Sequence, residues 1–537
     1  HKLRPEVPIW VGGPEVSYET ESFLRCHPQI TGVMIGEGEK TFCELAEYYA
    51  GESRRDKETE EKQRIQETQR TGESKCTKER SKLGEITGIA YQNGDEIIFT
   101  APREMLDLSD IPFCYDKAGD FKNRIIYYES SRGCPFSCSY CLSSVEKQLR
   151  FRNTELVKKE LQFFIDREVP QVKFVDRTFN CNHAHAMEIW SYIKEHDNGI
   201  TNFHFEISAD LLKEEELALI GTMRPGLIQL EIGVQSTNGA TIKEIHRTMQ
   251  LERLKEVVRE VQKHENIHEH LDLIAGLPFE DYDTFAKSFD EIYELRPNQL
   301  QLGFLKVLKG SYMYEHAKEY EITYHSRPPY EVLKTKWLPY DDVLKIRQVE
   351  EMIEVYYNSG QFEVTMKVLG VLFKSAFFLF QDLGKFYEKK GYFGMSHARI
   401  RRSEILLEFV EETFSADTEK ENLQEVQNLC EISDIIKESL IFDLYYRENC
   451  KSRPAWAKDL STWKQVTRIY CKNGKQSHVE CFSYRFPDKG ERVLKELPER
   501  AEKPLYALFD YTDRDPLDHQ AKVTWIMEDE NAGLCSN

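Results

Sequence analysis

The strongest constraint on the fold is a repeat of about thirty to forty residues after Arg124, in which each unit pairs a short strand with a helix. Such alternation favours a parallel sheet, because a helical crossover returns the chain to the same edge. Six units predict an α/β fold with a partial TIM-type (β/α)6 barrel. The predicted strands are Arg124–Ser130, Gln171–Asp176, Asn202–Ser208, Leu227–Gln235, Ile267–Ala275 and Gln299–Lys306.

Three of these strands alternate apolar with polar residues, although strands covered on both faces are normally apolar throughout. The polar positions are His204, Glu206 and Ser208 in the third strand, Gln229, Glu231, Gly233 and Gln235 in the fourth, and His268, His270 and Asp272 in the fifth. If the apolar faces meet the outer helices, the polar faces line the barrel, which predicts a bound polar ligand. Each residue taken alone could equally be a hydrogen-bonded group of the core.

Three cysteines, Cys134, Cys138 and Cys141, follow the first strand in a loop that contains Gly133 and Pro135. Three thiolates form an incomplete ligand set for an iron–sulfur cluster, which leaves one iron open to another ligand. A zinc site is the alternative, but the nearest downstream ligands, Cys181 and His183, lie about forty residues on, whereas zinc ligands are usually closely spaced.

The rest of the chain divides by its patterns into further segments. Residues 1–50 read strand–helix–strand–helix, as in half of a doubly wound domain or a small lobe packed on the main domain. Residues 51–84 are a charged linker, and residues 85–120 are a hairpin and connector. The barrel occupies residues 121–315, and residues 316–537 form a mainly helical α+β domain.

In that last domain, the pattern predicts helices at 340–357 and 362–387, a hairpin at 466–484 around Asn473-Gly474, and strands at 505–511 and 523–527. The aromatic stripe of Phe373, Phe377, Phe378 and Phe380 is interpreted as core. No catalytic constellation is apparent there.

Composition narrows the class of protein. The 537 residues carry a net charge of −20, which argues against broad nucleic-acid binding. No apolar run of about eighteen residues predicts a membrane span, and the residues from His1 do not predict a signal peptide. We therefore expect a cytoplasmic protein, in which the ten cysteines outside the central loop are reduced thiols.

Several motifs together resemble the radical S-adenosylmethionine (SAM) enzymes. They are Cys134-x3-Cys138-x2-Cys141 with Tyr140 before the last cysteine, Glu231-Ile232-Gly233-Val234-Gln235-Ser236, and Asp272-Leu273-Ile274-Ala275-Gly276-Leu277-Pro278. The resemblance covers roughly residues 120 to 310. It implies that the three cysteines hold a [4Fe–4S] cluster, that the open iron binds SAM, and that reductive cleavage gives a 5′-deoxyadenosyl radical.

The resemblance also implies roles for single residues. Tyr140 is expected near the adenine, and Gly276 is expected to let the backbone approach it. Asp176 and Arg177 stand where the family recognises the methionine amino group, although its usual Gly-Gly-Glu is absent. Polar contacts to the cofactor are expected from Glu206, Glu231 and Gln235.

Residues Gly12 and Gly13, together with Glu37 and Gly38, resemble the end of the cobalamin-binding domain that precedes the barrel in one branch of this family. Residues 1–50 are then the C-terminal part of a truncated doubly wound lobe. The resemblance implies cobalamin in the intact protein, while the strands for the upper part of the corrin are missing from these residues.

The expected function is reductive cleavage of SAM followed by cobalamin-dependent methyl transfer to an unreactive centre. The alternatives are a radical oxidoreductase or cyclase without methyl transfer, and a non-catalytic zinc or iron–sulfur scaffold. The expected partners are a small-molecule or peptide substrate and an electron donor such as flavodoxin or ferredoxin. The C-terminal domain is expected to be a lid or substrate platform.

Overall fold

The computed structural model describes residues 4, 6–63, 83–117, 119, 121–145, 147–415, 423–471, 476–487 and 491–526. Most of the predicted charged linker, residues 64–82, and the predicted turn Asn473-Gly474 lie outside these ranges. The chain forms two compact units. The first comprises residues 1–120, 130–160 and 307–316, and the second comprises residues 121–129, 161–306 and 317–537.

The first unit contains a four-stranded sheet with helices on both faces. Its elements are β1 (Trp10–Gly12), α1 (Pro14–Ser17), α2 (Thr20–Cys26), β2 (Gly32–Met34), α3 (Gly38–Gln63), β3 (Ile89–Asn93) and β4 (Glu96–Phe99). Strands β1 and β2 are parallel, and the predicted hairpin β3–β4 joins β2 antiparallel. Along β3, Ile89 and Tyr91 pack with Leu45 of α3, while Ala90 packs with Leu24 of α2 on the other face.

The second unit contains the predicted six-stranded parallel sheet. Its strands are β5 (Ile125–Tyr128), β8 (Gln171–Phe174), β9 (Asn202–Ile207), β10 (Ile228–Gln235), β11 (His268–Ala275) and β12 (Gln299–Phe304), which neighbour one another in chain order. All five neighbouring pairs are parallel. This sheet confirms all six predicted strands.

Helices connect these strands. They are α4 (Thr154–Asp166), α5 (His183–Glu195), α6 (Glu214–Ile220), α7 (Gly239–Glu244), α8 (Leu251–Gln262) and α9 (Tyr282–Tyr293). The alternation within β10 has the predicted meaning, since Ile228, Leu230, Ile232 and Val234 are buried and the residues between them are half-buried. The polar side chains of neighbouring strands therefore share one side of the sheet, which we call the polar face.

The region after β12 is mainly helical. It contains α10 (Tyr312–Glu315), which belongs to the first unit, then β13 (Thr323–Tyr324), β14 (Val332–Lys334), α11 (Tyr340–Ile353), α12 (Glu363–Leu372), α13 (Ala376–Lys390), α14 (Arg399–Ser415), α15 (Leu423–Arg447), α16 (Lys464–Tyr470), β15 (Ser477–Tyr484), β16 (Arg500–Asp510) and β17 (Lys522–Ile526). A π-helical turn at 354–358 continues α11. No helix in the described ranges is long and apolar enough to cross a membrane.

Two predictions for this region are wrong. The single helix expected at 362–387 is two helices, because the chain is extended at Phe373 and restarts at Ser375, whose Oγ accepts from the Phe378 amide. The hairpin expected at 466–484 does not form, because residues 464–470 are helical and β15 pairs with β16 instead. Val466, Ile469 and Tyr470 have helical spacing, but Val466 and Tyr470, four residues apart, also fit the alternation of a strand. Within the aromatic stripe, Phe377 and Phe380 are buried as predicted, whereas Phe378 is 43% exposed.

Candidate functional site

A short two-stranded ladder closes the base of the cysteine loop. Strand β6 (Ser131–Arg132) enters the loop and strand β7 (Arg150–Phe151) leaves it, and the two pair antiparallel with Arg132 opposite Arg150. The Arg152 amide adds a further hydrogen bond to the Ser130 carbonyl at 2.8 Å. Residues 133–149 therefore form a loop with fixed ends that carries all three cysteines.

Glu37, in the turn between β2 and α3, binds both arginines of that ladder. Its carboxylate accepts from Arg132 Nη1 and Arg150 Nη2, each at 2.7 Å, and from the Leu106 amide at 2.8 Å. Arg132 also donates to Glu39 Oε1 at 2.7 Å. The Glu37 carboxylate thus lies between two guanidinium groups and reduces their repulsion across the ladder, with Glu39 as a second counter-charge for Arg132.

The same contacts fix the charge of Glu37. Burial opposes ionisation, but the hydrogen bonds from Arg150, the Leu106 amide and Arg132 outweigh it and lower the pKa of Glu37 to about 2. Glu37 is therefore a carboxylate at any physiological pH. The contact of Glu37 with a cofactor stays a prediction. In the structure, Glu37 binds the two arginines at the base of the cysteine loop.

Within the loop, Gly133 occupies a position that only glycine fits. Its φ is +94°, and an added Cβ would lie 2.5 Å from the Gln148 carbonyl oxygen. This close approach of the two sides of the loop turns the chain directly before Cys134. The turn is continued by a hydrogen bond of 3.1 Å from the Cys141 amide to the Cys138 carbonyl.

The three thiols suit a cluster in chemistry and in access. Cys134 and Cys138 are buried and Cys141 is half-buried. Tyr140 is half-buried as well. The carbonyl of Ser139, which follows Cys138, accepts from the Met313 amide at 2.9 Å and so joins the loop to α10. Soft thiolates on a constrained loop are the donor set that iron–sulfur clusters require.

The polar face of the parallel sheet holds an array of charged groups. Glu231 on β10 accepts from His204 Nε2 on β9 and from Lys173 Nζ on β8, both at 2.9 Å. His204 outweighs the effect of burial, and together with Lys173 it lowers the pKa of Glu231 to about 2. This carboxylate is therefore ionised, and it binds side chains of β9 and β8, the two strands that follow β10 on one side of the sheet.

Glu206 lies beside Glu231 in register and behaves in the opposite way. Burial, followed by the charge of Glu231, raises the pKa of Glu206 to about 7, although Arg177 and Lys173 oppose the change. Two neighbouring carboxyl groups with separated pKa values are an arrangement that can hold a proton at one of them near neutral pH.

His270 and Asp272 on β11 extend this array. His270 Nε2 lies 3.1 Å from Asp272 Oδ1. Burial favours the neutral imidazole, but Asp272 and then Glu231 outweigh it and raise the pKa of His270. One ligand atom each from Glu231, His270 and Asp272 lies within 4.8 Å of the others, so the three form a compact polar group.

The remaining predicted residues of the parallel sheet have varied surroundings. Asp176 is fully buried after β8, whereas the neighbouring Arg177 is exposed. Gln235 ends β10 with a φ of +73°, where the pairing with β11 shifts register. A non-glycine residue in this conformation is strained, as is common at functional sites. Gly276 has a φ of +88°, and its added Cβ would lie 2.8 Å from Val332 Cγ1, so here the close neighbour is a side chain.

The glycines predicted to bind cobalamin lie at the carboxyl ends of β1 and β2. Gly12 packs against Met34, but an added Cβ at Gly13 or Gly38 would meet no heavy atom within 4 Å. A cavity of about 650 Å³ lies beside the turn between β2 and α3. It is lined by Gly36, Glu37, Gly38 and Glu39 together with Arg103, Met105 and Arg132. The carboxyl end of parallel strands is the usual place for a bound cofactor, and the open glycines fit one.

Three residues that build the site were not predicted. Arg132 and Arg150 carry no local signal, because their partner Glu37 lies 95 and 113 residues away in the chain. Lys173 belongs to a strand with only two inward residues, Gln171 and Lys173, too few to show alternation. Its position opposite His204 in the ladder would have required knowledge of the register.

Two family models match the chain. The model described as "Radical SAM superfamily" matches residues 128–292, and the model described as "Protein of unknown function (DUF4080)" matches residues 318–492. The first match confirms the predicted resemblance, and it includes the three cysteines and strands β8 to β11.

The chain is also similar to several curated proteins. It is 23% identical to an uncharacterised methyltransferase of Pyrococcus horikoshii, over 68% of this chain and 74% of the relative. It is 23% identical to an anaerobic magnesium-protoporphyrin IX monomethyl ester cyclase of Synechocystis, over 48% of each chain. It is 25% identical to the cobalamin-dependent radical SAM methyltransferase TokK of Streptomyces tokunonensis, over 54% of this chain and 41% of TokK. The chain thus spans less than half the length of the last two relatives.

Replacing Glu37 tests the base of the loop. In Glu37→Gln the two arginines lose their shared charge, so residues 133–149 should open more often. Trypsin cleavage after the exposed Lys147 should accelerate by about fivefold or more, since proteolysis follows the open population. The matched variant Glu47→Gln, at an exposed position of α3, should cleave at the wild-type rate. Equal rates for all three proteins would contradict this role of Glu37.

Replacing Glu206 tests the charge separation on the polar face. Because the folded-state pKa of Glu206 is raised to about 7, its contribution to stability is complete below pH 4.5 and is lost as the pH rises through 7. Urea unfolding at pH 5 and pH 8 should show that Glu206→Gln gains about 2 kcal/mol relative to wild type over this interval. The exposed control Glu195→Gln should show no such gain. A pH-independent difference would contradict the assigned pKa.

Proposed function

Because this chain belongs to the radical SAM superfamily and carries a DUF4080 domain after the parallel sheet, we propose that it is a cobalamin-dependent radical enzyme that transfers a methyl group to an unreactive centre of its substrate. The observation that carries the proposal is the cysteine loop. Its three thiols lie between ends that are fixed by the ladder and by Glu37.

Cys134, Cys138 and Cys141 would hold a [4Fe–4S] cluster with one iron left free for SAM. When bound, the cluster supplies the electron that cleaves the sulfonium of SAM. The chain's own part is to keep the loop in one shape. Gly133 permits the turn before Cys134, and the Ser139 carbonyl anchors the middle of the loop to Met313.

On the polar face, the ionised Glu231 would orient polar groups of a bound ligand, since Lys173 and His204 fix its position. Glu206 would hold a proton on its carboxyl oxygen near neutral pH and could release it to a ligand. We assign both residues to ligand binding and proton handling. This accounts for three strands having polar residues where a structural sheet would have apolar ones.

The methyl-transfer part of the proposal depends on cobalamin. It is supported by the open glycines and the cavity beside Gly36 to Glu39. It is also supported by the names of two relatives, the uncharacterised methyltransferase and the cobalamin-dependent methyltransferase TokK. Neither similarity identifies a substrate. We propose a small molecule or peptide, with a flavodoxin or ferredoxin as electron donor.

A radical cyclase or oxidoreductase without methyl transfer is the second candidate, and the similarity to the anaerobic cyclase of Synechocystis favours it. The two candidates share the cluster and SAM and differ in what becomes of the methyl group. Incubation with SAM carrying a deuterated methyl group separates them. Label that appears on cobalamin supports methyl transfer, and cleavage of SAM without methyl loss supports the second candidate.

Removing one cysteine tests the cluster. Anaerobic reconstitution of the wild-type chain should give about four irons per chain and release of 5′-deoxyadenosine when SAM and a reductant are added. Cys138→Ala should lose most of the iron and the product together, because two thiols cannot hold the cluster. Cys26→Ala, at an exposed position far from the cysteine loop in sequence, should retain both the iron and the release of 5′-deoxyadenosine. One bound zinc per wild-type chain without SAM cleavage would instead support the scaffold alternative.

Filling the cavity beside α3 tests cobalamin binding. Gly38→Leu places a side chain into open space at the first residue of α3, so the cofactor should bind at least tenfold more weakly while the fold is retained. Gly239→Leu makes the same change at the first residue of α7, where space is also open, and should leave affinity unchanged. Absorbance titration with hydroxocobalamin measures both. Equal affinity in all three proteins would exclude this cavity as the cobalamin site.

A further inference from the structure

A second cavity, of about 290 Å³, lies within the second compact unit at the amino ends of β11 and β12. His268, the first residue of β11, and Asn298, which directly precedes β12, line one side. The opposite side comes from the turn between α11 and α12 and from residues 517–520. The cavity is thus at the amino edge of the six-stranded sheet.

The wall formed by the turn after α11 is rigidly attached to the sheet. Asn358 binds both polar groups of the Leu300 backbone, donating to its oxygen at 2.9 Å and accepting from its nitrogen at 3.0 Å. The Tyr357 hydroxyl donates to the Pro297 carbonyl at 2.5 Å. The Asn358 amide and the Tyr357 hydroxyl are therefore already hydrogen-bonded to the backbone of the cavity wall.

Four cationic side chains line the cavity: Arg296, Lys367, Arg447 and Arg492. Three of them have protein acceptors. Lys367 donates to Glu363 at 3.0 Å, and Arg447 donates to the Asp518 carbonyl at 2.6 Å. Arg492 also has a protein acceptor, which is a backbone carbonyl.

Arg296 and Arg492 line the same cavity, and among the described residues neither forms an ion pair with a carboxylate. Arg492 Nη1 donates to the Arg296 carbonyl at 3.2 Å, and the Arg296 guanidinium lies 4.3 Å from the centre of the Tyr293 ring. Among the described residues, no carboxylate forms an ion pair within 4.0 Å with either arginine, and the buried Arg296 Nε has no hydrogen-bond partner. A guanidinium whose buried Nε lacks a partner is able to donate to an anion that enters the cavity.

The buried Glu269 does not supply that charge. Glu269 follows His268 on β11 but points to the opposite face of the strand. Its complete burial raises its pKa to about 8, although Gln262 and Arg492 oppose the change. At neutral pH Glu269 is therefore protonated and adds no negative charge, and the acidic residues that line the cavity itself are Glu265, Glu363 and Asp518.

We propose that this cavity binds a small organic anion and that Arg296 and Arg492 hold its oxyanion group, a phosphate or a carboxylate. The fork of the guanidinium matches two oxygens of such a group, and the volume suits a small metabolite. The neighbouring Tyr356 and Met366 provide apolar contact for the remainder of the ligand. The site is independent of the proposed radical chemistry, because it uses none of the residues assigned to that chemistry.

Calorimetric titration of the full chain with inorganic phosphate, pyrophosphate and succinate, at constant ionic strength in chloride, tests the proposal. At least one of these anions should bind wild type with a Kd below about 1 mM and should raise Tm. Arg296→Gln and Arg492→Gln should each weaken binding by about tenfold or more, and Arg492→Lys should weaken it less than Arg492→Gln. Arg259→Gln, at an exposed position of α8, should bind within twofold of wild type.

Preference for the phosphates or for succinate supports the proposal in either case and identifies the oxyanion. Wild type that binds none of the three anions would overturn it, and so would arginine variants that bind like Arg259→Gln. Should Arg296→Gln fail to fold, judged by its melting curve, the two Arg492 variants decide the question alone. Unchanged iron content in the Arg492 variants would show that a loss of anion binding is not a loss of the cysteine loop.

Discussion

The ion pairs between Glu37 and the two arginines of the β6–β7 ladder are the interaction on which the cysteine loop depends. Arg132 and Arg150 lie opposite each other in the ladder and would repel each other without a shared counter-charge. Because Glu37 belongs to the turn after β2, the cysteines are coupled to the four-stranded sheet of the first unit. The Glu37 carboxylate, together with Glu39, therefore links the loop to the cavity beside Gly36 and Gly38.

The second unit uses charge in a related way. On its polar face, Glu231 is kept ionised by His204 and Lys173, while its neighbour Glu206 tends to hold a proton. Neither state follows from residue type, because both groups are glutamates on adjacent strands. The difference arises because His204 and Lys173 donate hydrogen bonds to Glu231, whereas burial and the charge of Glu231 dominate at Glu206. It therefore depends on the register of β8, β9 and β10. Register is thus the property that converts this sheet from a scaffold into a candidate site.

The parts that could be predicted from sequence are those with local signals. Apolar runs located all six parallel strands, and alternation in β10 identified the residues that share the polar face. Pairings between distant residues, such as Glu37 with Arg150, leave no pattern along the chain. The helix at 464–470 was missed for a different reason, since Val466 and Tyr470 fit both periodicities and only the pairing of β15 with β16 separates them.

The central claim is that the cysteine loop holds a cluster with one iron open to SAM. The most direct test is electron paramagnetic resonance of the anaerobically reconstituted and reduced chain, recorded before and after the addition of SAM. The account predicts a [4Fe–4S] signal whose g values change when SAM binds the open iron. A cluster signal that SAM leaves unchanged would show that no iron is open, and would contradict the claim.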